Sequence, residues 1–142
     1  MIVSAMIFYL WSGLYINRLQ DHLVGVLWNE RSVVRTVMLS VDEHFNGREV
    51  SVSNTETIAL CLIENRMTGY RWIFKSNGAP ICRVIDDSFT TDEKSPGAAG
   101  KHCWHLRIVA PGKSIVELIY ARPWEQDKPP ARTFELKIHA GQ

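Results

Sequence analysis

From residue 33 onward, short apolar runs alternate with polar, turn-forming segments, a rhythm that predicts strands and no long helix. Val33 to Val41 is a first extended run, Asp42-Glu-His-Phe-Asn-Gly47 a polar loop with Asn-Gly as its turn, and Arg48 to Ser53 a second run. Thr57 to Ile63 and Tyr70 to Lys75 follow. Ser76-Asn-Gly-Ala-Pro80 then breaks the chain, Ile81 to Ile85 resumes it, and Asp86 to Gly100 reads as a polar loop too long to be punctuation. Trp104, Leu106 and Ile108 fall on one face of the next strand, with Cys103, His105 and Arg107 on the other. Ala110-Pro-Gly-Lys113 is a turn of type II character. Ser114 to Ala121 carries apolar residues on both faces, which marks a central strand; Arg132 to His139 points Phe134, Leu136 and Ile138 inward. The pattern is that of an all-β sandwich or barrel.

Residues 1–32 do not share this rhythm. Met1 to Asn17 contains no charge, but the segment lacks the leading positive charge and small-x-small site of a signal peptide. Ser12, Gly13 and an early Arg18 interrupt it as a membrane span. Leu14, Leu19, Leu23, Val24 and Leu27 recur at nearly helical spacing. Three roles stay open for this extension: targeting, as a signal or anchor; a helix packed on the domain; or an upstream segment of no folding consequence. A targeting role implies a periplasmic or secreted protein, and either other role a cytoplasmic one.

At 142 residues with 46% apolar side chains, the chain has enough material for one core. A formal net charge of +1 without a Lys/Arg block argues against a nucleic-acid surface. Cys61, Cys82 and Cys103 lack metal-ligand spacing. Each sits in an apolar strand-like run, so all three are expected as small buried hydrophobes, with one bridge left possible.

The polar tip Glu64-Asn-Arg-Met-Thr-Gly-Tyr-Arg-Trp72 lies between two of the strands. Gly69 stands where a turn requires positive φ, and Asn65 can bond the backbone ahead of it. In a Greek-key sandwich alternate connections fall at one end, which brings this tip beside the loop ending at Gly100 and the proline-stiffened loop 122–130. The sequences Asn65-Arg-Met-Thr-Gly-Tyr70, Gly97-Ala-Ala-Gly100 and Arg122-Pro-Trp124, in that order and at this spacing, resemble the three loop motifs of the chagasin family of cysteine-protease inhibitors. The similarity extends from about Val37 to the C-terminus.

That resemblance implies an immunoglobulin-like antiparallel β-sandwich of about seven to eight strands over residues 33–142. It also implies reversible, tight-binding inhibition of papain-like, cathepsin-like cysteine proteases by a monomer that has no catalytic residue, cofactor or metal. The implied protease-binding residues are Asn65, Arg66, Met67, Thr68, Gly69 and Tyr70 in the centre, with Gly97, Ala98, Ala99 and Gly100 on one flank and Arg122, Pro123 and Trp124 on the other. Thr68 and Gly69 would approach the catalytic cysteine. The family's central loop usually reads Asn-Pro-Thr-Thr-Gly, so Arg66 and Met67 depart from it, and Ala99 departs from Gly-x-Gly-Gly. Loss of proline removes a φ restraint and is expected to leave the tip less ordered.

Trp72 and Trp104 are expected in the core, Tyr70 as a brace for the tip and Trp124 as an exposed anchor. Gly69 and Gly100 are expected to leave room for close approach by a partner. Two other classes compete. An enzyme would use Cys103 with His102 or His105, although an apolar strand raises a thiol pKa. An immunoglobulin-like adhesion module would use the same loops or a sheet edge.

Overall fold

The computed structural model describes residues 37–91 and 95–141. Residues 1–32 and the start of the run at Val33 lie outside them. Eight strands, β1 (Met38–Val41), β2 (Arg48–Ser53), β3 (Thr57–Glu64), β4 (Arg71–Asn77), β5 (Cys82–Thr90), β6 (Gly100–Ile108), β7 (Gly112–Ala121) and β8 (Arg132–Gly141), form two four-stranded sheets. One sheet has the order β1-β3-β6-β5 and the other β2-β8-β7-β4. The sandwich is antiparallel through its interior, and at two edges a strand joins in parallel, β1 on β3 and β2 on β8.

Alternation builds the core between the sheets. Ile58, Leu60 and Leu62 of β3 and Trp104, Leu106 and Ile108 of β6 face Val116, Leu118 and Tyr120 of β7 and Phe134, Leu136 and Ile138 of β8. Trp72 joins them, so both expected core tryptophans are buried. β7 is central in its sheet, but its second face is not covered: Ile115 is exposed and Ile119 half-buried.

Two expectations are corrected. Strand β5 continues to Thr90, well into the segment read as loop, leaving 91–99 as the connection. A bulge between Val84 and Asp86 resets the register, so Asp87 comes opposite Trp104 and Phe89 opposite His102. The segment reads as loop because an edge strand can be polar on both faces. The second correction concerns the cysteines. Cys61 and Cys103 face each other across β3 and β6 on the outer side of the sheet, with Cα atoms 4.1 Å apart, and form a disulfide. Only Cys82 is a free, buried thiol, and burial pushes its pKa up to about 11. With its sulfur in the bridge, Cys103 is no nucleophile.

Candidate protease-binding loops

The β3–β4, β5–β6 and β7–β8 connections emerge at the same end of the sandwich, the end reached by Glu64, Gly100 and Ala121. In the central connection, Arg66–Thr68 form a single 3-10 turn. Asn65 caps it: its side-chain Oδ1 accepts from Met67 N–H at 3.1 Å, and its carbonyl accepts from Thr68 N–H and the Thr68 hydroxyl. Gly69 closes the turn with φ of 81°, a left-handed conformation that any side chain would strain.

The flanking loop reaches across to this turn. Arg122 Nε donates to Thr68 carbonyl at 3.1 Å while its guanidinium lies 4.6 Å over the Tyr70 ring. The arginine's aromatic partner is therefore Tyr70 and not Trp124. Tyr70 in turn stacks on Tyr120, whose hydroxyl accepts from Asn65 N–H at 2.9 Å, so Tyr70 braces the tip as expected. Trp124 is 68% exposed, yet its indole also covers Gly69. A Cβ at Gly69 would stand 2.5 Å from Trp124 Cη2. On the other side, Asn65 Nδ2 lies 3.5 Å from Gly97 carbonyl, the outer limit of a hydrogen bond. At Gly100 a Cβ would meet the Phe89 ring and, at 2.6 Å, Thr90 carbonyl. A side chain at either glycine would thus collide with neighbours within the chain.

Beneath the tip lies a buried cluster that the sequence did not bring together. Glu64 is 0% exposed and its carboxylate is fully used. Oε2 accepts from Trp72 N–H at 2.8 Å, Oε1 from Arg66 Nε at 2.8 Å, and His102 Nδ1 stands 3.2 Å from Oε2. His102 Nε2 lies 2.6 Å from Asp87 Oδ1, which carries the chain of contacts to β5. Burial alone would raise the Glu64 pKa, but the Trp72 amide, Arg66 and His102 together hold it below the usual carboxylate range. The Arg66 guanidinium also sits 3.7 Å over the Phe89 ring. Arg66 is therefore tied to the frame by a buried acid and an aromatic face, which corrects the expectation of a looser tip. Inward alternation was the available signal: Glu64 continues the Ile58, Leu60, Leu62 series, and His102 continues Trp104, Leu106, Ile108.

Residues 51–138 match the sequence model of the chagasin family peptidase inhibitor I42. The chain belongs to the chagasin family of peptidase inhibitors. Chagasin of Trypanosoma cruzi is 29% identical over 105 residues, covering 70% of this chain and 96% of that protein. The crystal structure of the cysteine protease inhibitor EhICP2 from Entamoeba histolytica shares the fold with a TM-score of 0.69 at 21% identity, over 75% of this chain and 98% of that one. The solution structure of amebosin matches with a TM-score of 0.58 at 27% identity, over 74% and 98% of the two chains. Membership places the chain among inhibitors, not enzymes.

Proposed function

We propose that this chagasin-family chain is a reversible, tight-binding inhibitor of papain-like cysteine proteases that fills the active-site cleft with three adjacent loops, residues 33–142 forming the inhibitory domain. The observation that carries the reading is the cross-bracing of the central turn, by which Arg122 and Trp124 hold Thr68 and Gly69 from one side. A convex edge fixed in this way loses little conformational freedom on entering a concave cleft. Thr68 and Gly69 approach the catalytic cysteine, Met67 and Trp124 supply exposed apolar surface, and Gly97 to Gly100 close the second flank. The Cys61–Cys103 bridge ties β3, which leads into the central loop, to β6, which leaves the second loop.

Titrating papain with the full chain tests this. Stoichiometric, reversible loss of peptidase activity with no cleavage of the inhibitor is expected. Full activity at micromolar inhibitor would overturn the reading in favour of an adhesion-type binding module.

A further inference from the structure

We propose that Met67 is an oxidation-sensitive contact, at which a peroxide weakens inhibition by forming the sulfoxide. The proposal rests on the reading of these loops as the protease-binding surface. Met67 is 78% exposed, the most exposed large hydrophobic side chain among the described residues. It occupies the middle of the 3-10 turn, and the backbone around it is held by the Asn65 cap and by the Gly69 N–H bond to Arg66 carbonyl at 3.2 Å. The thioether is therefore presented outward from a fixed backbone, at the point that leads into a cleft.

The other described sulfurs are placed differently. Cys82 is buried, and Cys61 and Cys103 are already joined. Met38 is 51% exposed but pairs with Thr57, at the opposite end of β3 from the tip. An oxidant in solution thus meets one sulfur at the candidate binding edge.

The chemistry balances without a further reagent. Hydrogen peroxide gives one oxygen atom to the Met67 sulfur; its O–O bond breaks, the S–O bond forms, and water leaves. The thioether is oxidised by two electrons and the peroxide reduced. The product is a polar, chiral side chain that must be desolvated wherever the thioether had fitted an apolar wall, which is expected to weaken binding by roughly tenfold or more. Methionine sulfoxide reductases reverse the change at the expense of a thiol.

The experiment treats the full chain with hydrogen peroxide, removes the oxidant, confirms the sulfoxide at Met67 by peptide mass spectrometry, and measures the inhibition constant against papain. The oxidised protein should inhibit roughly tenfold less tightly or worse, and reductase treatment should restore it. Met67→Leu, whatever its own starting inhibition constant, should show no further change after peroxide, while Met38→Leu should lose inhibition as the parent does. Unchanged inhibition with Met67 fully oxidised would overturn the proposal, as would equal loss in Met67→Leu. Absence of inhibition before any peroxide would instead overturn the inhibitor reading, and this proposal with it.

Discussion

Trp124→Ala is expected to weaken inhibition of a papain-like protease roughly thirtyfold, the equivalent of about 2 kcal/mol for a tryptophan anchor at an interface, with the thermal midpoint of the domain unmoved. The indole is mostly exposed, so its removal takes little from the core. It does uncover Gly69, whose left-handed backbone and missing Cβ are matched to that ring. A large rigid side chain that both touches the partner and covers the central turn combines direct contact with preorganisation. Inhibition constants and thermal melts on the same preparations check the pair of outcomes; a drop in melting temperature would move Trp124 into the structural frame.

Glu64→Ala is expected to act in the opposite proportion, destabilising the domain by about 3 kcal/mol and lowering its melting temperature by roughly 12 °C or more. The substitution leaves the buried Trp72 N–H without its acceptor, and both Arg66 and His102 without their shared carboxylate. Arg66→Pro separates the two roles of this cluster. Asn65 is extended, as a residue before proline must be, so the backbone of the turn accepts the change. What is lost is the guanidinium between Glu64 and Phe89. Inhibition should therefore weaken, although a proline tip alone would be expected to tighten it. The same carboxylate gives a pH dependence. Its folded pKa lies below the ordinary value of 4.5, so its stabilisation is complete above that pH and is lost as pH falls further, through the folded value. Glu64→Gln should flatten the acid limb of a stability profile measured by urea unfolding from pH 6 to pH 3.

Much of the sandwich was legible because period-two patterning marks a half-buried strand directly. Trp104, Leu106 and Ile108 showed their face, as did Phe134, Leu136 and Ile138. Strand β5 was hidden for the complementary reason: at a sheet edge with a bulge, Asp86, Asp87 and Ser88 satisfy backbone bonding without any apolar face to announce it. The clustering of the three loops followed from alternate connections in a Greek key. Their internal bracing did not, because it depends on pairs far apart in the chain, Arg122 with Thr68, Trp124 with Gly69 and Arg66 with Phe89. Glu64 and His102 were hidden by their chemistry: a polar residue at the end of an apolar run reads as the start of a loop, although both continue the inward series. The disulfide required knowing that two outward cysteines meet, which strand order and pairing register decide together.

The three-loop end of the sandwich is the surface expected to meet the protease. Amide hydrogen exchange on the chain, free and bound to active-site-competent papain, reads that surface residue by residue. Protection on binding is expected at 65–70, 97–99 and 122–125, with the edge strands β1 and β2 unchanged. Protection confined to those edges, with the three loops exchanging as in the free protein, would contradict it.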